Sequence, residues 1–253
     1  MTSYLISGSS RGLGLALVAE LAAKPASEVS KVFAAVRTET NEVKQLAIDH
    51  RGRVELISMD ANLEDSIRAA VAKVEQSLGG QGLDVLINVA GMSSVAMGAS
   101  SKCKDDLMSL FNVNVMGAHQ VTRAYLPLLR KGNAKKIANI STTVGSITMA
   151  PTFREIPTPA YKISKAALNM LTVQYALSLE DQGFTTIAVS PGWIKTPIGG
   201  DNADLDVGTA ARATLDVIVR SGPDLNGKFL NIHVPGWENS PGLNQYEGGQ
   251  PAW

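Results

Sequence analysis

A chain of 253 residues, 45% of them hydrophobic, with 23 lysines and arginines against 23 aspartates and glutamates, is long enough for one sizeable core and carries no charge excess. That balance gives no electrostatic ground for nucleic acid or an anionic membrane as a partner. The single cysteine, Cys103, excludes an intrachain disulfide and a cysteine metal cluster, and His50, His119 and His233 are scattered, so no metal site is expected.

The first apolar run, Tyr4–Ser7, begins almost at the N-terminus and leaves no room for a signal or transit peptide. No apolar run approaches the roughly 18 residues of a membrane span. A cytoplasmic protein is expected. Tyr4–Ser7 reads as a strand and leads into Ser7-Gly8-Ser9-Ser10-Arg11-Gly12-Leu13-Gly14, at the start of a Leu- and Ala-rich helical stretch, Gly12–Lys24. Glycines there let the backbone turn tightly and approach a pyrophosphate, and a helix N-terminus supplies N–H donors. The spacing is Gly-x-x-x-Gly-x-Gly, not Gly-x-Gly-x-x-Gly. Such a turn can be purely structural, but its place after the first strand points to a dinucleotide site.

The second strand, Val32–Val36, ends at Arg37 with no acidic residue to hold the ribose hydroxyls of NAD. Arg37 and Arg11 suit the 2′-phosphate of NADP, since a guanidinium matches phosphate geometry. They can equally be two surface arginines. The third strand, Val54–Ser58, is followed by Asp60-Ala61-Asn62; Asp60 can accept from an adenine amino group or cap the next helix, and the two are compatible. That helix, Asn62–Leu78, sets Leu63, Ile67, Ala70, Val71 and Val74 on one stripe.

The fourth strand, Val85–Asn88, ends in a small-residue turn, Val89-Ala90-Gly91, that lets backbone pass under a cofactor. Asp105–Arg130 reads as a long helix that Pro127 should kink or end. Asn114 lies inside it, where asparagine can bulge the helix, bind water or face solvent. The fifth strand, Lys136–Ile140, leads into Ser141-Thr142-Thr143, a hydroxyl cluster at a strand end. Ala160–Asp181 and Val207–Arg220 read as helices, Thr185–Val189 and Lys228–Ile232 as strands, and Pro191-Gly192-Trp193-Ile194-Lys195-Thr196 as a turn at the same edge.

Continuous apolar strands joined by helices predict an α/β fold: a doubly wound, seven-stranded parallel sheet of Rossmann type, covered on both faces. Residues 1–253 read as one domain, with an extended loop at 149–159 and a tail at 234–253. In such a sheet the ligand crevice lies outside the carboxyl ends of the strands. The hydroxyl cluster and the start of the Ala160–Asp181 helix should converge there.

That helix opens Ala160-Tyr161-Lys162-Ile163-Ser164-Lys165. Positions i and i+4 share a helical face, so the Lys165 ammonium can stand near the Tyr161 phenol and favour its ionised form. A cation there draws a phenol of pKa about 10 towards a range useful for proton transfer. Taken alone, Tyr-x-x-x-Lys also describes ordinary solvated helix faces.

Taken in order, Gly8-x-x-x-Gly12-x-Gly14, Asp60, Asn88-Val89-Ala90-Gly91, Asn114, Ser141-Thr142, Tyr161-x-x-x-Lys165 and Pro191-Gly192 with Thr196 resemble the short-chain dehydrogenase/reductase family over essentially the whole chain. The chain looks most like the carbonyl-reductase-like branch of sniffer-type enzymes and fungal norsolorinic acid ketoreductases, an impression to which Gly227–Asn231 and the tail Tyr246-Glu247-Gly248-Gly249 add. The resemblance implies an NADPH/NADP+-dependent oxidoreductase acting on a small-molecule carbonyl substrate. It implies Tyr161 as general acid, Lys165 on the nicotinamide ribose and lowering the tyrosine pKa, Asn114 holding a relay water, and Thr142 orienting the carbonyl. It places the cofactor on Gly8, Ser10, Arg11, Gly12, Leu13, Gly14, Arg37, Asp60, Ala61, Asn88, Ala90, Gly91, Tyr161, Lys165, Pro191, Gly192, Ile194 and Thr196. A homodimer or homotetramer pairing through the two long helices is the family's habit.

Three departures from the family pattern stand out. Thr142 occupies the position of the usual serine and is stiffer at χ1. Ser141 stays open as the alternative, although adjacent strand residues point to opposite faces. Val89 replaces the second asparagine of Asn-Asn-Ala-Gly. The loop between Thr142 and Tyr161 is long, with Pro151, Pro157 and Pro159 in its segment Met149–Pro159, while the stretch after Thr196 is short. Met149–Pro159 and the Trp237-containing tail are expected to replace part of the substrate lid, with Met92, Met149, Phe153 and Trp193 lining an apolar pocket for a bulky hydrophobic substrate, aromatic or polyketide-like, as in secondary metabolism. These residues can also merely fill loop cores. Two further readings keep the fold: isomerisation or cyclisation, which the threonine leaves open, and a non-catalytic NADPH-binding protein, against which Tyr161, Lys165 and Asn114 argue together.

Overall fold

The computed structural model describes residues 1–93 and 102–253, with the backbone alone at 102–105. Seven strands, β1 (Thr2–Ser7), β2 (Val29–Val36), β3 (Val54–Ser58), β4 (Val85–Asn88), β5 (Lys136–Ile140), β6 (Thr185–Ser190) and β7 (Phe229–Asn231), form one sheet in the order β3-β2-β1-β4-β5-β6-β7. Every pairing is parallel. The order reverses between β1 and β4, so the crevice expected of a doubly wound sheet opens there, beside the first glycine turn.

The helices are α1 (Gly12–Ala22), α2 (Asn41–Asp49), α3 (Glu64–Leu78), α4 (Lys102–Phe111), α5 (Gly117–Lys131), α6 (Pro159–Leu179) and α7 (Val207–Arg220). Alternate strand residues feed two cores. Ile6, Val32 and Ile187 pack under Leu17, Leu21, Leu215 and Ile218 of α1 and α7. Leu5, Phe33 and Leu86 pack under Ile67, Val74, Tyr125 and Leu128 of α3 and α5. Central strands buried on both faces, such as β1 and β4, read as short apolar runs, which is why they were legible. Among the described residues no helix is long and apolar enough to cross a membrane.

Three local features differ from the sequence reading. Helix α2 was not anticipated: it is short and buries only Val43, and its clearest signal is Thr40, whose Oγ1 accepts from Val43 N–H at 3.4 Å. Pro127 does not end its helix, because Tyr125, Leu128 and Leu129 around it are buried and α5 runs on to Lys131. The long helix is instead interrupted earlier, by a π-helical turn at Asn112–Met116, a feature often found at functional sites.

The tail also has a defined course. Residues 246–249 run beside β7, with Val234 N–H donating to the Tyr246 carbonyl and Asn231 N–H to Gly249 (both 2.9 Å), and so cover an edge that would otherwise be open. Trp253 then stacks on Phe229, and its carbonyl accepts from Thr148 N–H at 2.9 Å.

Candidate active site

A cleft of about 920 Å³ lies outside the carboxyl ends of the strands. One end is the glycine turn. Gly8 has φ +73° and Gly12 φ +56°, in the left-handed region that favours glycine. A Cβ on Gly8 would meet Ala90 Cα at 2.8 Å, and one on Gly14 would meet the Gly8 carbonyl oxygen at 2.3 Å. The turn is thus packed backbone against backbone, with α1 beginning immediately after it. Thr40 Oγ1 donates to the Ser10 carbonyl at 2.9 Å and holds the turn against the loop that follows β2. Arg11 and Arg37 are exposed and line this end, and neither makes an ion pair among the described residues. A tight glycine cradle at a helix N-terminus with two uncommitted guanidiniums fits a dinucleotide carrying an extra phosphate.

Asp60 and Ala61 line the same end, with Asp60 Oδ1 accepting from Asn62 N–H at 2.9 Å. Asp60 therefore shapes the turn before α3 while its edge stays on the cleft.

The middle of the cleft is built by β4, β5, the π turn and α6. The π turn puts Asn114 inward, 1% exposed. Its Oδ1 accepts from Met92 N–H at 2.8 Å, and its Nδ2 donates to the Met92 carbonyl at 3.0 Å and to Ser164 Oγ at 2.9 Å. A Cβ at Gly91 would come within 3.2 Å of Asn114 Oδ1 and 3.7 Å of Lys165 Nζ, so the two side chains meet at one glycine. Lys165 Nζ donates to the Ile140 carbonyl at 2.8 Å and lies 5.7 Å from the centre of the Tyr161 ring. Pro159 at the first helical position starts α6 so that Tyr161 and Lys165 face the cleft one turn apart.

Burial acts on both groups and favours their neutral forms. It pushes the Tyr161 phenol up to about 12 and the Lys165 ammonium down to about 8. The sequence reading had the lysine drawing the phenol down. In the cleft as described, desolvation outweighs an ammonium that gives its hydrogen bond to Ile140.

The two hydroxyls after β5 separate cleanly. Ser141 is buried and donates to Asn169 Oδ1 on α6 at 2.5 Å. Thr142 is half-buried, and its Oγ1 accepts from Val144 N–H at 3.4 Å, which leaves its own proton free. Thr142 is therefore the hydroxyl available to a ligand. Beyond β6, Gly192 takes φ +84°, and Pro191, Trp193, Ile194 and Thr196 line the cleft. Thr196 Cγ2 would touch a Cβ on Gly12 at 3.4 Å, which joins this loop to the glycine turn.

Three residues assigned to the site from sequence do not line the cleft. Asn88 is buried, donating to Thr122 Oγ1 at 3.0 Å and Asn139 Oδ1 at 2.8 Å, and so ties β4 to β5 and α5. Asn114 stands behind Met92. Met149 is turned into a side cavity of about 240 Å³, because its N–H donates to Ser146 Oγ at 3.0 Å and its turn is braced by the tail. Met92, Phe153 and Trp193 do line the cleft. Sequence reasoning did not single out Ile156, Thr158, Ile198, Asp204 or Leu243, which line it too. They come from loops whose approach is set by tertiary packing, and no spacing marks them. At position 89, Val89 packs against the core on the α1 and α7 side.

The sequence profile of the short-chain dehydrogenases matches residues 3–205. A short-chain dehydrogenase/reductase of Arthrinium sp. is 32% identical over 238 residues, covering 90% of this chain and 86% of that one. Among solved structures, the carbonyl reductase Sniffer of D. melanogaster is similar over 100% of both chains, at 30% identity and a TM-score of 0.86. The NADPH-bound carbonyl reductase from chicken fatty liver covers 100% of this chain and 99% of its own, at 29% identity and a TM-score of 0.85.

Proposed function

The chain belongs to the short-chain dehydrogenase family, and from that premise we propose that it is an NADPH-dependent ketoreductase of a hydrophobic, aromatic or polyketide-like carbonyl compound. One observation carries the reading. Tyr161, Lys165 and Thr142 line a single cleft whose other end is the glycine turn flanked by Arg11 and Arg37. The NADPH bound by the chicken carbonyl reductase, at 29% identity over the whole chain, supports the same cofactor here.

The glycine turn and α1 would hold the pyrophosphate, Arg11 and Arg37 the 2′-phosphate, Asp60 and Ala61 the adenine side, and Ile194 and Thr196 the carboxamide, and NADPH held there would supply hydride for the carbonyl carbon. The rest falls to side chains of this chain. Thr142 donates its free proton to the carbonyl oxygen and fixes its direction. Tyr161 transfers the phenolic proton to that oxygen, and a phenol held near pKa 12 is fully protonated at neutral pH. Lys165, though pulled down to about 8, is still mostly charged at neutrality and stabilises the phenolate left behind. Asn114, meeting Lys165 at Gly91, serves the return of a proton from solvent.

Phe153, Ile156, Trp193, Trp237 and Leu243 give the substrate end apolar walls, in keeping with a lid made jointly by the loop before α6 and the tail. We place the enzyme in the cytoplasm and in secondary metabolism, the latter because relatives such as that of Arthrinium are fungal short-chain dehydrogenases. NADPH consumption across a panel of aryl ketones and quinones tests the reading, and tight NADPH binding without turnover of any carbonyl would refute it.

Homo-oligomerisation through α5 and α6 is part of the proposal. Ile163, Met170 and Leu177 are 49%, 60% and 64% exposed and recur every seven residues along α6, so they form one apolar stripe. Met170→Glu should lower the mass seen in analytical ultracentrifugation; an unchanged mass would sink this part alone.

A further inference from the structure

The substrate end of the cleft holds a carboxylate that the proposed chemistry does not use. Asp204 stands in its wall beside Trp193, Trp237 and Leu243. Its Oδ2 is fully engaged: the Tyr246 hydroxyl donates to it at 2.6 Å and Asn244 Nδ2 at 2.8 Å. Tyr246 is 2% exposed, accepts from Trp193 N–H at 3.0 Å and packs against the Trp237 ring at 5.2 Å between centroids. Burial first, and the Asp204 carboxylate next, push the Tyr246 phenol well above its usual range, so it remains a donor. Asp204 is thus immobilised by side chains more than thirty residues away in the tail.

Among the described residues both side-chain hydrogen bonds to Asp204 go to Oδ2 and none to Oδ1, and Asp204 is half-buried in the wall of the cleft. The fold does not need this carboxylate to anchor its loop. Backbone bonds already do so, Leu205 N–H to the Trp193 carbonyl at 3.0 Å and Lys195 N–H to the Leu205 carbonyl at 2.9 Å. A rigid carboxylate with one oxygen spent and one open, in a wall that Trp193 and Trp237 also line, is arranged to receive a donor.

We propose that Asp204 is a specificity residue, accepting through Oδ1 a hydrogen bond from a hydroxyl on the apolar body of the substrate, away from the carbonyl being reduced. This rests on the ketoreductase reading of the cleft. A hydroxyl suits the site better than an ammonium. An ammonium brings three donors, and Asp204 offers one open oxygen in a wall otherwise lined here by Trp193, Trp237 and Leu243.

The test uses acetonaphthone, its ring-hydroxylated isomers and the methyl ethers of those isomers. Binding to the NADPH-loaded protein is read from the fluorescence of Trp193 and Trp237. At least one hydroxylated isomer should bind about tenfold or more tightly than both the parent and its own methyl ether, the scale of a hydrogen bond to a charged group. Asp204→Asn keeps an acceptor for Tyr246 and should reduce that advantage; Asp204→Leu should abolish it. Isomers that bind no better than parent and ether, an advantage that survives Asp204→Leu, or a stronger preference for the amino-substituted ketone would each overturn the proposal. The ether comparison uses wild type only, so it decides even where a variant does not fold. Hydroxyl-selective binding without NADPH consumption would uphold the Asp204 site and defeat the reductase reading, whereas turnover without hydroxyl selectivity would do the reverse.

Discussion

Lys165 Nζ lies 5.7 Å from the centre of the Tyr161 ring, yet its hydrogen bond goes to the Ile140 carbonyl at 2.8 Å. The pair is therefore an electrostatic neighbourhood and not a hydrogen-bonded couple. Its burial moves both groups towards neutrality, the phenol to about 12 and the ammonium to about 8. The Tyr161 phenol is thus protonated throughout the neutral range, and on the proposed mechanism the group that limits the alkaline side is Lys165.

A pH dependence follows from Lys165. Its charge should be lost as pH rises through about 8, against 10.5 for an ordinary lysine. Carbonyl reduction should decline over the same interval. In the window from about 8 to 10.5 the unfolded chain holds a proton that the native chain does not, so stability due to this residue rises with pH there. Titration of the cofactor-free protein with 13C-labelled lysine, the Lys165 signal assigned by its absence in Lys165→Met, checks the value. A midpoint near 10.5 would contradict it.

On the proposed reading, cofactor choice rests on Arg37 and Arg11, which line the glycine-turn end of the cleft. Arg37→Asp should weaken NADPH binding by at least about tenfold, the scale of a hydrogen bond to a charged group, and leave NADH nearly unchanged. Equal losses for the two dinucleotides, measured by calorimetry, would remove the 2′-phosphate from the account.

Gly145 sets how closely α6 approaches β5. A Cβ there would lie 2.7 Å from Lys165 Cβ and 3.1 Å from the Lys165 carbonyl carbon. Gly145→Ala should displace the start of α6 and cost about 1–3 kcal/mol of stability by overpacking. A shift of about 1 Å in Tyr161 and Lys165 is enough for a loss of roughly a hundredfold in kcat/KM. Wild-type kcat/KM in the folded variant would show that the helix start is not held by this contact.

The contrast between Asn88 and Tyr161 shows what the sequence could and could not reveal. The strands and the glycine turn were legible because the central strands are buried on both faces and because backbone proximity admits only glycine at Gly8 and Gly14. That Tyr161 and Lys165 face the cleft one turn apart was legible from helical spacing read together with the motifs around it, not from the spacing alone. What was hidden depends on side-chain direction and on loops. Asn88 sits at a strand tip next to the cleft, yet its amide turns inward to Thr122 and Asn139. Met149 belongs to the expected lid segment but is drawn aside by Ser146 and the tail. The Asp204 carboxylate is fixed in the wall by Tyr246 and Asn244, far along the chain, which no local spacing marks. The direction of the Tyr161 shift was misread for a related reason: spacing gives the distance to a charge and says nothing about how much water burial removes.

The most direct measurement is single-turnover reduction of an aryl ketone by NADPH-saturated enzyme, wild type against Tyr161→Phe. With Tyr161 as the proton donor, the variant should bind NADPH as before and lose about a hundredfold to ten-thousandfold in the rate of the chemical step. An unchanged rate with Tyr161→Phe would contradict the account at its centre.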